Sequence, residues 1–286
     1  MGKSSQINLV SIIGAGDVEL LPHLARHYRK LGVESFHIVC HAESESDANY
    51  ERLLEECRRA DIRPLHLHVG AWRETLNMRL KAYIMGQRPG DWFVIADLDE
   101  FQVYDRPLGE LIQLCERVGA DHVNGCFLDR VAPGGELLAV DESSIWERFP
   151  LAGAVSSKIS LTLPLKTGLA RGHVQLLPGH HGTVGGRALP RDAGFIQVHH
   201  FKWTESVIRR LRWRVEHLAR EDRRAEHNAL VTHARAALAH IDANGGRIDV
   251  ADELLALAPC PEGSFAHPFW REIADEAEGW AWMLAQ

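Results

Sequence analysis

A chain of 286 residues is long enough for one large α/β domain, or for one domain with an appendage. Its hydrophobic content of 45% is ordinary for a globular protein, and its net charge of −7 argues against a nucleic-acid-binding or anionic-membrane surface. No signal-peptide segment, no membrane-spanning apolar run and no Cys-x-x-Cys pattern is found. We therefore expect a cytoplasmic protein with reduced thiols, no nucleic-acid partner and no transmembrane segment.

The first half of the chain alternates apolar strands with amphipathic helices. Strands are predicted at 7–13, 35–40, 64–69 and 92–96, and the helices between them at 18–31, 48–60 and 73–86. This βαβαβαβ order predicts a mostly parallel sheet with right-handed crossovers. A helix at 108–118 and a strand at 122–128 are predicted to follow.

The first strand is followed by the loop Gly14-Ala15-Gly16-Asp17, in which Asp17 is predicted to cap the next helix. A Gly-x-Gly after a strand is part of a dinucleotide-binding pattern, but Glu19 stands where the third glycine is required. An NAD site is therefore disfavoured. The backbone at Gly14 and Ala15 is still a candidate for a close approach to a nucleotide base or ribose.

Carboxylates follow the predicted strand at 92–96 directly, at Asp97, Asp99 and Glu100. Ligands gather beyond the carboxyl ends of strands in open α/β sheets. Two acids at positions i and i+2 on a turning backbone can reach one Mg²⁺ or Mn²⁺ ion, which in turn can hold a diphosphate. The alternative is that these acids only cap a turn or a helix. The residues alone leave both interpretations open.

The second half is less regular. Residues 131–200 are rich in Gly and Pro, and they contain short strand-like segments at 158–163, 174–177 and 195–199. This region is predicted to form the second wall of a cleft. Helices are predicted at 204–218, at 225–243 and, in the tail, at 250–257 and 269–284.

Histidine pairs at His180-His181 and His199-His200 are candidates for metal binding, because neutral imidazole binds Mn²⁺ or Zn²⁺ well. Structural histidines are the alternative for both pairs. The second pair ends a strand-like run, so it is the better candidate to complete a site begun by Asp97 and Asp99. Lys202 beside it can neutralise a diphosphate. Asp129, at a predicted strand end, is a candidate general base or an ion-pair partner.

The segment from Ile95 to Phe101, Ile-Ala-Asp-Leu-Asp-Glu-Phe, resembles the Asp-x-Asp-Glu-Phe segment of a family-2-like branch of the GT-A glycosyltransferases. Other segments are similar to the same branch: Leu21 to Gly32, Asp129-Arg130-Val131 with Gly134-Gly135, Phe149-Pro150, Lys158, Gly179-His180-His181 and His200-Phe201-Lys202-Trp203. The resemblance covers about residues 7 to 215. The Asp-x-Asp-Glu-Phe and His-Phe-Lys-Trp motifs are fairly specific when they occur together, and neither is specific alone.

This resemblance implies a GT-A, Rossmann-like α/β fold with a mostly parallel central sheet flanked by helices. It implies a nucleotide-sugar donor, usually a UDP-sugar, and a Mn²⁺ or Mg²⁺ ion that bridges the donor diphosphate to the protein. On this interpretation Asp97 lies near the ribose or the metal, Asp99 ligates the metal, and His200 is a third ligand. A catalytic domain is expected over 1–203 and a C-terminal helical extension over 204–286. The acceptor is left unspecified.

The chemistry of such a transfer requires two further groups. A departing nucleoside diphosphate develops negative charge, which a metal with a Lys or Arg stabilises. An inverting enzyme also needs a base for the acceptor hydroxyl, and the candidates are Glu100, Asp129, Asp141 and Glu142.

Two alternatives remain. A nucleotidyltransferase is disfavoured because the first loop lacks a glycine-rich, Arg/Lys-bearing sequence. A non-enzymatic binding protein that keeps the fold is the other, because this loop departs from the family's usual Arg-Asn-Glu.

Overall fold

The computed structural model of the chain describes residues 6–44, 46, 48–220 and 224–284. The chain packs into two compact units. The first unit comprises Met1–Gly125 and Leu165–Val198, and the second comprises Cys126–Pro164 and His199–Gln286. The predicted functional division between residues 203 and 204 stays a prediction.

Strands in the described part of the chain run in the following order: β1 (Ile7–Gly14), β2 (Ser35–Ala42), β3 (His66–Val69), β4 (Trp92–Ile95), β5 (Glu100–Tyr104), β6 (His122–Val131), β7 (Leu151–Gly153), β8 (Leu165–Arg171), β9 (Gln175–Leu176), β10 (Thr183–Val184), β11 (Ile196–His200) and β12 (Ala258–Pro259). The predicted strands that begin at residues 7, 35, 64, 92 and 122 are therefore confirmed within a few residues.

Helices follow the same chain order: α1 (Leu21–Lys30), α2 (Ala48–Arg59), α3 (Glu74–Gly86), α4 (Leu108–Val118), α5 (Ile145–Arg148), α6 (Val155–Ser160), α7 (Ser206–Trp213), α8 (Arg224–Ala243) and α9 (Trp270–Leu284). Short 3-10 segments occur at Ala15–Leu20, Pro178–His180 and Glu253–Leu255, and one π-helical segment at Arg214–Leu218 continues α7. In the described part of the chain, no helix combines the length and the apolar character needed to cross a bilayer.

The sheet of the first unit has the strand order β8-β4-β1-β2-β3. Strand β1 is parallel to β2 and to β4, and β2 is parallel to β3, while β8 is antiparallel to β4. The predicted α/β class with a mostly parallel central sheet is therefore confirmed. Helices follow β1, β2 and β3, which gives the crossovers that parallel strands need.

Strand β4 stops before its neighbour β1 does. The last pair between them joins Val10 to Ile95, whereas β1 continues for four residues, to Gly14, alongside β2. The chain therefore leaves the sheet at Ala96 and turns at its carboxyl edge. This early exit brings Asp97 to Glu100 to the edge where open α/β sheets bind ligands.

Each unit has its own apolar core. In the first unit, alternate residues of β1, β2 and β4 pack with Ile84 and Met85 of α3. In the second unit, Val131 of β6 and Trp203 pack with residues of α7 and α8. Strands β6, β7 and β12 of this unit pair antiparallel. Burial on one helical face agrees with the apolar periodicity that predicted these helices.

Four expectations about local structure are wrong. Asp17 does not cap an α-helix, because the chain first forms a 3-10 segment and α1 begins at Leu21 after the N-cap Leu20. The segment 158–163 is not a strand, since α6 covers its first residues. The tail segment 250–257 contains only the 3-10 turn Glu253–Leu255. Asp129 lies inside β6, which extends to Val131, and not at its end.

Candidate functional site

The turn after β4 carries the acids that the sequence singles out. Its backbone closes when Glu100 N–H donates to the carbonyl of Asp97 at 3.1 Å. The Glu100 carboxylate in turn accepts from Asp97 N–H at 3.0 Å. Asp97 keeps 30% of its side chain exposed and Asp99 is half-buried, whereas Glu100 is only 1% exposed. The turn therefore presents Asp97 outward and holds Glu100 inside the protein.

Two buried lysines meet these acids. Lys81 of α3 places its Nζ 2.7 Å from Asp97 Oδ1. Lys166 of β8 places its Nζ 2.9 Å from Glu100 Oε1 and 3.9 Å from Asp97 Oδ2. Because both lysine side chains are almost fully buried, the ion pairs are poorly screened by water.

His180 joins the two halves of this arrangement. Its Nε2 lies 2.9 Å from Glu100 Oε2, and its Nδ1 lies 3.1 Å from Lys81 Nζ. An ionised carboxylate only accepts and an ammonium only donates, so the ring is neutral and carries its proton on Nε2. We call Lys81, Asp97, Glu100, Lys166 and His180 the lysine–carboxylate cluster.

The electrostatics of the cluster follow from burial and from these partners. Burial alone would raise the pKa of both carboxyl groups, but the lysines outweigh it. The pKa of Glu100 is lowered to about 2, by Lys166 and by the hydrogen bond from His180, and the pKa of Asp97 is also lowered, chiefly by Lys81. Burial and the two ammonium groups lower the pKa of His180 to about 4. At neutral pH two carboxylates therefore balance two ammonium groups.

The same cluster contains a set of possible metal ligands. Donor atoms of Asp97, Glu100 and His180 lie within 4.8 Å of one another, so by spacing this acidic group could hold a metal ion. Asp97 and Glu100 already pair with the lysines, and His180 Nδ1 faces Lys81. A metal that used all three residues would have to compete with both ammonium groups.

Hydrogen bonds from the side chains of Tyr28 and Gln102 hold the main chain around the turn. Tyr28 donates its hydroxyl proton to the Glu100 carbonyl at 2.8 Å, and Gln102 N–H donates to the Tyr28 oxygen at 3.2 Å. The Gln102 side-chain amide donates to the carbonyls of Ile95, at 2.7 Å, and Gly168, at 3.1 Å. These bonds tie both ends of the turn to the buried part of the first unit, so the turn is preorganised.

Gly14, predicted to approach a nucleotide, ends β1 opposite His41 of β2. A Cβ built on Gly14 would meet only the His41 carbonyl, at an ordinary 3.8 Å. The chain then enters the 3-10 segment that begins at Ala15. A nucleotide contact at Gly14 and Ala15 stays a prediction.

Asp129 and His200 come together in the second unit. Asp129 accepts hydrogen bonds from Ser156 N–H at 2.6 Å, from Ser156 Oγ at 2.7 Å and from His200 Nδ1 at 2.8 Å. Burial would raise its pKa, but these bonds and the charge of Lys202 lower it. A carboxylate with three donors and a lowered pKa is a weak base. Its contacts hold the first turn of α6 and orient the His200 ring.

The other predicted residues of the second unit lie beside Asp129. His200 stacks on Phe127 with ring centroids 4.2 Å apart. Lys202 places its Nζ 3.5 Å from Ser156 Oγ and 4.8 Å from the centre of the Trp203 ring. These contacts give both residues structural partners. Their predicted roles, a metal ligand for His200 and a diphosphate contact for Lys202, stay predictions.

The sequence prediction missed Lys81 and Lys166. Lys81 could have been found, because it lies three and four residues before Ile84 and Met85 on the buried face of α3. A lysine on the apolar face of a helix needs a partner when it is buried. Lys166 follows Leu165 in a strand that was not predicted at all, so its position gave no signal.

No protein-family model and no curated protein sequence matches the chain. Among solved structures, residues 1–349 of S. aureus TarS in complex with UDP-GlcNAc are similar with a TM-score of 0.37 and 10% identity, over 84% of this chain and 74% of that chain. UDP-glucose pyrophosphorylase complexed with UDP-glucose is similar with a TM-score of 0.26 and 13% identity, over 52% and 66% of the two chains. Mannose-6-phosphate isomerase from Helicobacter pylori is similar with a TM-score of 0.31 and 12% identity, over 59% of this chain and 71% of that chain. Likeness at this level assigns neither a family nor an activity to the chain.

Proposed function

We propose that the chain is a glycosyltransferase that moves a sugar from a nucleotide-sugar donor to an acceptor. The observation that carries this proposal is the position of the Asp97–Glu100 turn. It leaves a parallel sheet at the carboxyl edge, beside a strand that continues for four residues to Gly14. A nucleotide diphosphate bound along that edge would reach the exposed carboxylate of Asp97.

On this proposal a divalent metal would bind on the exposed side of Asp97. The Oδ2 atom of Asp97 lies 3.9 Å from Lys166, a looser contact than the 2.7 Å bond of Oδ1 with Lys81. Asp97 and Asp99 would hold Mn²⁺ or Mg²⁺ through carboxylate oxygens. The metal would stabilise negative charge on the departing diphosphate. The turn's fixed backbone means that these carboxylates need little rearrangement to bind it.

The contacts of the two candidate bases favour positioning roles. Both oxygens of Glu100 are bonded, and the side chain is buried. Asp129 is equally buried and accepts three hydrogen bonds. An acceptor hydroxyl would have to reach a buried carboxylate that already has three hydrogen-bond donors before it could give up its proton there.

A thermal-shift panel tests the proposal. Tm is measured with UDP or GDP, each with Mn²⁺, with Mg²⁺ or with EDTA. At a ligand concentration of one hundred times Kd the stabilisation is about 2.7 kcal/mol, which for a chain of this size corresponds to a shift on the order of 5 °C. We expect the shift with one nucleotide and metal together, followed by slow hydrolysis of the matching nucleotide-sugar.

Asp99→Asn should remove the shift, because it removes one ligand charge from the turn. Asp105→Asn is the matched control, since Asp105 is an exposed acid that pairs with Arg106 at the end of β5. Absence of any nucleotide response with every metal would refute the proposal. An equal loss in both variants would refute the assignment of the metal to the turn.

A further inference from the structure

We propose that Lys81 and Lys166 are the resident cations of the lysine–carboxylate cluster and close Glu100 and His180 to a divalent metal. On this proposal Glu100 and His180 are positioning residues, and Asp97 is the one member that meets a bound ligand. The inference rests on the proposed function only for that last role of Asp97. The closing of the cluster is a property of the protein alone.

Each possible ligand atom of Glu100 and His180 already has a partner within the cluster. Glu100 Oε1 faces Lys166 at 2.9 Å. Glu100 Oε2 accepts from His180 at 2.9 Å and from Asp97 N–H at 3.0 Å. His180 has one lone pair when it is neutral, on Nδ1, and Lys81 lies against it at 3.1 Å. A metal at His180 Nδ1 would therefore take the place of the Lys81 ammonium.

The charge balance of the cluster also disfavours a divalent metal at Glu100 and His180. Two buried ammonium groups balance two carboxylates, so the cluster is neutral without a metal. Adding a dication at Glu100 and His180 would leave uncompensated positive charge beside two side chains that are each only 1% exposed. Such a charge is costly in a protein interior, and the lysines would have to leave or lose their protons first.

The lysines are also held where they are. Lys166 donates to the Gly179 carbonyl at 2.8 Å in addition to its carboxylate contacts. Lys81 is anchored on α3, whose Ile84 and Met85 belong to the core of the first unit. Neither ammonium can move to solvent without breaking buried contacts. The resident cations are therefore part of the fold.

The exposed fractions separate the members of the cluster. Asp97 retains 30% exposure of its side chain, against 1% for Glu100 and 1% for His180. A ligand arriving from solvent reaches Asp97 first. Glu100 and His180 lie behind it, where they hold the Asp97 backbone and the Lys81 ammonium in position.

The test is to open the cluster by removing its cations. In Lys81→Met/Lys166→Met, Asp97, Glu100 and His180 lose their lysine partners but keep their metal-ligand atoms. We expect a lower Tm in EDTA, recovery of Tm with Mn²⁺, and Mn²⁺ binding at least about ten times tighter than in the native protein, because the two competing positive charges are gone. Binding is followed by the Mn²⁺ electron paramagnetic resonance signal without nucleotide. Adding Glu100→Gln to the double variant should abolish the gain.

Lys158→Met is the matched control. It removes a lysine from the Lys158–Glu276 ion pair of the second unit, and it should leave Mn²⁺ binding unchanged. The same gain in this control would overturn the inference. So would a folded double variant with no gain in Mn²⁺ binding.

A measurement on the native cluster keeps the inference testable if the double variant does not fold. Pulsed electron paramagnetic resonance of Mn²⁺ bound to the otherwise native protein should show no histidine ring-nitrogen coupling that disappears in His180→Gln, because His180 supplies no ligand atom. A ring-nitrogen coupling that is lost in His180→Gln would overturn the inference. These readouts use no nucleotide, so a failed nucleotide panel refutes the proposed function and leaves the closed cluster standing.

Discussion

The lysines of the first unit's cluster and Arg130 of the second unit are buried cations that are stabilised in different ways. In the first unit, Lys81 and Lys166 face carboxylates. In the second, Arg130 donates to the carbonyls of Phe149 at 2.8 Å and Cys260 at 2.9 Å. Its guanidinium also lies 5.0 Å from the centre of the Trp146 ring and 5.7 Å from that of Phe201. The first group is an ion-pair network, and the second is a cation held by dipoles and aromatic faces.

The difference indicates different tasks. A planar guanidinium with five donors can connect several carbonyls at once, so Arg130 cross-links β6 to two distant parts of the chain. Burial lowers the pKa of Arg130 to about 10, which leaves it charged at neutral pH. The lysine–carboxylate cluster ends instead in a partly exposed acid, Asp97. We infer that Arg130 is structural, whereas the cluster prepares a binding surface.

The largest effect is expected when one charge of the cluster is left alone. Lys166→Met removes the ammonium group that pairs with Glu100, whose carboxylate is only 1% exposed. We expect a loss of about 3–5 kcal/mol in the free energy of unfolding, measured by urea denaturation. Lys166→Met/Glu100→Gln should recover part of it, because the unpaired charge is gone. A loss below about 1 kcal/mol in the single variant would show that the pair is not desolvated.

Arg130→Lys separates charge from hydrogen-bonding geometry. It keeps the positive charge but cannot bond both carbonyls in the same plane, so we expect a loss of about 2 kcal/mol. Urea denaturation of Arg130→Lys beside Arg130→Met measures it. If Arg130→Lys were as stable as the native protein, the positive charge alone would account for the stability that Arg130 contributes. The contrast between the two groups would then fail.

Acid should weaken the cluster before it affects Arg130. His180 has a pKa near 4 in the folded protein against an ordinary 6.5, so the unfolded chain binds more protons and stability falls as pH drops below 6.5. The pKa of Glu100, about 2 against an ordinary 4.5, extends this loss to lower pH. His180→Gln should reduce the slope of the free energy of unfolding between pH 6.5 and 4. The remaining slope comes from other histidines, chiefly His181, whose pKa burial lowers to about 3. Arg130→Lys should keep the native slope. An unchanged slope in His180→Gln would mean that groups other than His180 cause the loss of stability at low pH.

The smallest effect is expected at the partly exposed pair of Lys158 and Glu276. Their side chains are 31% and 36% exposed, so solvent screens the pair. We expect Lys158→Met to lower the free energy of unfolding by about 0.5 kcal/mol at most. A loss as large as that of Lys166→Met would mean that exposure does not separate the pairs.

The parallel half of the fold could be predicted because its signals are local. Apolar runs with helical spacing between them gave β1 to β4 and α1 to α4 within a few residues. The acid turn could be predicted for the same reason, since Asp97 and Asp99 directly follow the apolar strand β4. What lies around that turn comes from distant segments. Lys166 lies 69 positions after Asp97, and His180 lies 80 positions after Glu100. No local pattern in the sequence encodes these two contacts.

Segment 158–163 shows why the second half was harder. Its alternating apolar and polar residues have the period of a strand, which local reasoning favours. The structure instead forms α6, whose second residue Ser156 donates both its N–H and its hydroxyl to Asp129 of β6. A tertiary bond spanning 27 residues therefore outweighs the local period. The same bond makes Asp129 a partner of that helix, and the role of Asp129 as a base stays a prediction.

The divided make-up of the two units has a consequence for synthesis. A chain emerging from the ribosome completes the first unit only when Val198 is made, and the segment from Cys126 to Pro164 must wait longer for its partners. Until α7 and α8 have been made, Val131 and Val155 lack the residues that bury them. A protein cut after residue 203 would remain in this waiting state, with an apolar surface open to self-association.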